Sequence, residues 1–472
     1  MTTGKDKSGF YFGVTCPACG GELELEKNFF TLTCVHCGSV LRIRMPDMPP
    51  AYLVKSKLTT REVRFGIDRY LKKNSLPLTG PDLAIKNLYY PYWKIEALML
   101  RVRNKVYERV LQEETEYQDW AAVQTAKTEI GITPYLMTVA AGSFFDGIPD
   151  SIGLRSEYVR MIPFAKENIQ DGFDSLPITR PYDEVWATVV SSVMTVGDID
   201  QADFGSNLTE LFHPEYELIY FPYALVESYS DRGFNRFIVD GISGRVVEYL
   251  TQLTLDEDAE YAEIPPLEFG RLEVEYHRCY NCGMDLPDRR SIVYICENCQ
   301  VLNIIDKTGV DIGELALVDC ESGPADVLLP FWSFKIPDNL LPKLGQLFGG
   351  IRRSDRLVVP AFSVVNYEAA YRLSKRMSAA APQLNLVPTE TYDRRFRPVN
   401  RCLEDALALA DIIIYRAQLE RLSTFHCNIE KFEFHPSEVS LFYTPFHPEN
   451  YFYVDSALNA ITFEKNLVEQ KV

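Results

Sequence analysis

The chain has 472 residues, 46% apolar and 24% charged, a composition that fits a globular protein and excludes wholesale disorder. Its 48 Lys and Arg stand against 66 Asp and Glu, giving a formal net charge of −18, the reverse of the cationic surface on which a general nucleic-acid binder relies. No apolar run reaches the ~18 residues of a membrane span, and the opening MTTGKDKSGFYFG lacks a signal peptide's apolar stretch. A cytoplasmic protein of about three domains is expected.

Residues 1–50 hold two Cys-x-x-Cys pairs, Cys16/Cys19 and Cys34/Cys37, separated by 14 residues. A two-residue spacer lets one tight turn supply two thiolates, and two such turns can close on one ion. This is zinc-ribbon spacing. The intervening ELELEKNFFTLT alternates as strands should, and His36 reads as a turn residue because four cysteines already complete the site. Residues 51–254 read as a mixed module. TTREVRFGIDRYLKKN puts Val63, Ile67, Tyr70 and Leu71 on one face of a helix, and PYDEVWATVVSSVMTV reads similarly. YYPYWKIEALML is strand-like, and DGISG (Asp240–Gly244) is turn chemistry between two apolar runs, hence a hairpin. Residues 255–270, with five carboxylates before two prolines, read as a linker.

Residues 271–310 repeat the ribbon with Cys279/Cys282 and Cys296/Cys299, 13 residues apart. Glycine follows three of the four pairs (Gly20, Gly38, Gly283), where a turn needs positive φ, and Gln300 departs from that pattern. Residues 311–472 form a second module with the strand LLPFWSFKI and the helix RCLEDALALADIIIYRAQLERL. Cys320, Cys402 and Cys427 have no Cys-x-x-Cys partner and read as buried thiols.

Five landmarks recur in one order: Pro91/Trp93 with Pro330/Trp332, Pro163 with Pro360, His213 with His435, Tyr223 with Phe446, and Asp240 with Asp455. The expected fold is therefore α+β in two tandem copies, each a four-cysteine zinc ribbon plus a mixed module of antiparallel sheet and packed helices. Residues 1–270 carry 26 cations against 39 acids, and residues 271–472 carry 22 against 27.

The Pro-aromatic-Trp strings read as core anchors rather than ligand platforms. His213 and His435 lack a visible orienting carboxylate and read as turn residues before strands, and Asp240 and Asp455 as turn caps. Arg352, Arg353, Arg356, Arg394, Arg395, Arg397 and Arg401 cluster in two stretches and would form an anion or partner patch if these meet. No P-loop, dinucleotide, zinc-protease or serine-hydrolase signature occurs.

The ribbons resemble the transcription-factor-IIB type. CPAC…CVHC followed by TTREVRFGIDRYLKKN, PDL and LYYPYW resembles bacterial zinc-ribbon proteins of unassigned activity, clearest over residues 14–100 and partial over 277–365. That resemblance implies bacterial origin and zinc held by the eight cysteines, and no reaction. Some members of that group carry transmembrane segments, and this chain departs from them. The expected cofactor is two zinc ions, one per site, with rubredoxin-like iron as the alternative. The expected function is a non-catalytic protein-interaction or assembly scaffold. The alternatives are a nucleic-acid-associated factor using the ribbons and the arginines, and a redox carrier or unfamiliar enzyme.

Overall fold

The structure, a computed structural model, describes residues 14–23, 31–44, 48–77, 83–111, 121–142, 147–153, 159–197, 208–230, 233–251, 269–270, 273–287, 291–305, 310–311, 315–348, 354–389, 395–421 and 434–468. It is a mixed α and β chain, mostly strands with few helices. Two compact units form: Met1–Ala97, Pro134–Thr195 and Pro214–Tyr276 in the first, Leu98–Thr133, Val196–His213 and His277–Val472 in the second. The expected linker falls outside the described residues except for Phe269 and Gly270.

In the first unit, β1 (Val14–Thr15) pairs with β2 (Glu22–Leu23), and β3 (Thr31–Thr33) with β4 (Val40–Arg44). There follow β5 (Ala51–Leu53), α1 (Thr60–Lys73), β6 (Ala84–Leu111), β7 (Ala121–Ala140), β8 (Ile162–Pro163), β9 (Phe173–Ser175) and α2 (Tyr182–Gly197). Then come β10 (Leu208–Ser230), β11 (Gly233–Asp240), β12 (Val246–Leu250) and β13 (Glu273–Tyr276). The main sheet runs β12-β11-β10-β5-β8, with β6 pairing β10, β7 and β9. Strands β6, β7 and β10 are 28, 20 and 23 residues long, several times the usual ~5–6. Residues 98–133 and 196–213 group with the second unit instead of with a 51–254 module.

Helix α1 begins where the sequence says it should. The Thr59 hydroxyl accepts the Glu62 N–H and the Glu62 carboxylate accepts the Thr59 N–H, a capping box. It buries Val63, Ile67 and Leu71 against Val226, Phe237 and Val239. Strand alternation sends the neighbours Leu225 and Ile238 to the opposite face, where they pack with Leu23, Leu41 and Ile43 of the first ribbon. That ribbon shares the unit's core. Strand β13 pairs with β4 and completes the first ribbon's three-stranded sheet, with Arg42 held by Glu275. Residues 273–276 thus belong with ribbon one, a correction to the 271–310 boundary; Arg42 and Arg44 face Glu275 and Glu273 across this pairing.

In the second unit, β14 (Val293–Ile295), β15 (Leu302–Ile305) and β16 (Val310–Asp311) form the ribbon sheet. The module comprises β17 (Leu315–Val318), β18 (Val327–Lys335), α3 (Leu341–Phe348), β19 (Arg356–Pro360), α4 (Tyr367–Ala380), β20 (Leu386–Thr389) and α5 (Leu403–Arg421), then β21 (Glu438–Glu449), β22 (Phe452–Asp455) and β23 (Thr462–Glu464). Its sheet runs β19-β18-β21-β17-β20, with β22 joining β21 to β23. Neither main sheet is purely antiparallel, because β5–β10, β6–β9 and β17–β21 pair in parallel. Helix α4 packs Leu373 and Met377 on Phe331, Val358 and Phe442.

The Pro-aromatic-Trp strings are core: Tyr92, Trp93, Phe331 and Trp332 are all buried. Each indole N–H donates to an arginine carbonyl just before a helix, Trp93 to Arg180 at 2.9 Å and Trp332 to Arg401 at 3.0 Å. Each of those arginines returns a guanidinium bond to a carbonyl, of Ala140 and Pro360 respectively. This topology corrects one landmark. Pro360 pairs with Phe331 on β18, whereas Pro163 pairs with Tyr52 on β5. The residue placed like Pro163 is Pro388, opposite Ala316 on β17.

The first unit buries a charge. Lys94 Nζ lies 2.6 Å from Glu96 and 2.8 Å from Glu217, with no exposure of its own. Counting from the shared Pro and Trp landmarks, the second sheet has Ser333 opposite Ser440 at this place. Lys94→Ser alone strands Glu217 and is expected to cost ~3–5 kcal/mol in urea unfolding. Combining it with Glu217→Ser is expected to recover most of that loss, and a single variant as stable as the parent would contradict this reading.

Candidate metal centres

Four turns of one design build the two cysteine clusters. In each, the first cysteine's N–H and C=O close the turn: Cys16 with Gly21 and Gly20, Cys34 with Ser39 and Gly38, Cys279 with Met284 and Gly283, and Cys296 with Val301 and Gln300. The residue after the second cysteine takes a left-handed φ, +71° at Gly20, +73° at Gly38, +72° at Gly283 and +59° at Gln300. A Cβ at any of the three glycines would meet nothing within 4 Å, so the requirement there is conformational, not spatial. Gln300 meets it as a side-chain-bearing residue and donates its amide to the Glu297 carbonyl.

The first cysteine of each pair is buried, while the second is exposed in three pairs and half-buried at Cys299. Within each cluster all four sulfurs lie within 4.8 Å of one another. Cys16–Cys37 and Cys19–Cys34 are 3.8 Å apart, Cys279–Cys299 3.6 Å and Cys282–Cys296 3.4 Å. Sulfurs on a regular tetrahedron about 2.3 Å from its centre stand about 3.8 Å apart. The donor set and spacing fit a tetrahedral dication, and all described cysteines are free thiols rather than disulfides. Both clusters could hold metal ions.

Within each cluster the thiols shift in opposite directions. Burial pushes Cys296 up to about 11. Against the Gly21 N–H, desolvation and the neighbouring cysteines hold Cys19 up at about 12. Nearby donors lower Cys37 and Cys282. The Ser39 hydroxyl and its backbone N–H hold the Cys37 thiol down at about 6. The Met284 N–H and the Asn298 side chain do the same for Cys282, also to about 6. Asn303 adds an amide 3.5 Å from Cys279 Sγ. Such contacts orient metal ligands and favour their charged form. Cys402 is buried, Cys320 half-buried, and burial pushes both thiols up. Cys427 lies outside the described residues.

The two centres sit in different surroundings. Cys16 and Cys34 belong to the large core that includes Tyr52, Tyr92, Phe221 and Ile238. Cys279 and Cys296 belong to a small separate core with Leu286, Tyr294 and Ile305.

The seven expected patch arginines divide. Arg352, Arg353 and Arg394 lie outside the described residues. Arg356 bonds Glu438 and Ser333, Arg395 the Gly323 carbonyl and Ser322, and Arg401 the Pro360 carbonyl. Arg397 is exposed. Asp240 caps its turn through Ile242 and Ser243, and Asp455 through Leu458, Ala460 and Ile461.

His213 has the orienting carboxylate that its sequence neighbourhood does not reveal. Its Nε2 lies 2.8 Å from Asp411 on α5, and the other Asp411 oxygen accepts the Phe434 N–H. His213 holds a φ of +50°, and Phe212 packs edge-on to Tyr415 one turn along the same helix. A second pair, His447 with buried Asp326, also receives Ser456. No local pattern could have signalled either, since the partners lie 198 and 121 residues apart (Asp411 − His213; His447 − Asp326).

No protein-family profile matches the chain, and no curated protein or solved structure is significantly similar to it. Among the described residues no helix is long and apolar enough to cross a membrane.

Because ribbon one shares its core with the main sheet, Cys16→Ser is expected to lower the unfolding midpoint of the whole first unit. Cys282→Ser should loosen only its own ribbon. Hydrogen exchange resolved by segment checks this, and equal spread of deprotection from both variants would contradict it. Gly38→Ala is expected to cost ~1–2 kcal/mol through its left-handed φ, whereas Gln300→Gly should cost nothing measurable in the same denaturation assay.

Proposed function

We propose that the chain is a non-catalytic, zinc-stabilised interaction or assembly protein built from two tandem copies of a ribbon-plus-module unit. The sulfur geometry carries this reading. Four thiolates at tetrahedral spacing leave no coordination position for water or substrate, which is the property of a structural centre. Zinc is the metal assigned, since it accepts four thiolates in this geometry without redox chemistry. Iron in the same cage would give a red, redox-active protein, whereas a colourless, zinc-loaded preparation supports the assignment.

The ribbons also present apolar side chains on rigid turns. Val35, inside the second knuckle, is 88% exposed, and Tyr280 and Met284, around the third, are 73% and 55% exposed. Single apolar residues at the surface are common, yet three on metal-braced turns favour a protein partner. The matching strand orders and the two Trp–Arg hooks support the duplication.

Photo-crosslinking residues placed at Val35 and Tyr280 in the native cell are expected to give discrete, nuclease-resistant protein adducts. Val35→Glu with Tyr280→Glu should abolish partner capture while leaving metal content unchanged. Adducts that vanish with nuclease, or none at all, would sink the scaffold reading.

A further inference from the structure

Residues 55–73 hold Lys55, Lys57, Arg61, Arg64, Arg69, Lys72 and Lys73 against only Glu62 and Asp68, leaving 41 cations against 64 acids elsewhere. All seven cationic residues are exposed. Glu62 is occupied by the Thr59 cap. Among the described residues no carboxylate pairs with Lys55, Lys57, Arg61, Arg69, Lys72 or Lys73. The 3.6-residue repeat places Arg61, Phe65, Arg69 and Lys72 opposite the buried Val63, Ile67 and Leu71.

Phe65 stands among these cations, 60% exposed, with the Arg69 guanidinium over its ring at 4.7 Å from the centroid. Leaving a phenyl ring in solvent forgoes burial worth ~1.5–3 kcal/mol. The helix beneath it is fixed by its cap and by the sheet, so ring and cations sit on a rigid platform.

We propose that the outer face of α1, with Lys55 and Lys57 leading into it, binds single-stranded nucleic acid. Phosphates would meet the cations, and a base would stack on the Phe65 ring beside Arg69. A protein partner fits less well. Protein interfaces have apolar centres depleted in lysine, and here one ring shares its helix face with Arg61, Arg69 and Lys72, with Asp68 at its edge. Cations flanking an exposed aromatic ring are the arrangement that holds single strands without reading sequence. The acidic remainder does not forbid this, because charges are screened beyond about 8 Å at physiological salt. The site is separate from the ribbons, so it stands or falls independently of the scaffold reading.

The test uses the full-length, metal-loaded protein and fluorescence anisotropy with short labelled oligothymidylate and oligouridylate. Inorganic polyphosphate, poly-glutamate and phosphatidylserine vesicles serve as comparison probes. The oligonucleotides are expected to bind, with a log–log salt slope of about −0.7 per phosphate contacted. Phe65→Ala should weaken oligonucleotide binding about tenfold and leave polyphosphate binding unchanged, the signature of base stacking. Arg61→Gln with Arg69→Gln should weaken both, whereas Arg372→Gln, a substitution at an exposed arginine on α4, should weaken neither. No oligonucleotide binding at low salt overturns the proposal. So does binding indifferent to Phe65→Ala, or tighter binding to poly-glutamate or vesicles.

Discussion

Convergence of four sulfurs on one point is the constraint from which the rest of this structure follows. Thiolates held 3.4–3.8 Å apart repel unless a cation lies between them. Among the described residues, the first ribbon's two- to five-residue strands enclose no core of their own and share that of the main sheet. A metal ion bound between the thiolates would supply what packing cannot. In the first unit this matters beyond the ribbon, because Leu23, Leu41 and Ile43 form one face of the core beneath the main sheet. The ribbon is then a wall of the first unit, and its closure is a condition for burying Tyr52, Tyr92 and Ile238. The second ribbon closes over its own small core and brings a different dependence.

The two sheets solve one packing problem with different side chains. Both tie a central strand to the turn before a helix through an indole N–H and an arginine carbonyl, and both end a strand on an aspartate that caps the next turn. Between these fixed points the interiors differ. Lys94 and Glu217 lie buried in one sheet, while Ser333 and Ser440 face each other in the other, with Arg356 reaching Ser333 from the neighbouring strand. A buried ion pair adds little net stability over a well-packed apolar pair, while removing one partner strands the other's charge.

What could be read from the sequence was what local spacing controls. The cysteine pairs, the left-handed turns after them, the capped helix α1 and the Asp240 hairpin all depend on residues within one or two turns of each other. What could not be read was non-local. Nothing local placed Glu273–Tyr276 beside β4, gave β5 and β17 their parallel partners, or carried residues 98–133 into the second unit. The assignment of Pro163 to Pro360 failed for the same reason: two Pro-aromatic strings look alike, but only strand pairing tells β8 from β19. Of the expected arginine patch, Arg356, Arg395 and Arg401 bond carbonyls, hydroxyls and a glutamate, Arg397 is exposed, and the other three lie outside the described residues. Exposed cations without a carboxylate partner among the described residues lie on the outer face of α1, opposite Val63, Ile67 and Leu71.

Native mass spectrometry of the intact chain, purified without added metal, tests the central claim most directly. The account predicts two bound zinc ions per chain, lost in two steps as a thiol-blocking reagent modifies the eight ribbon cysteines. A chain without metal, or one whose ribbon cysteines had each lost a hydrogen to disulfides, would contradict it.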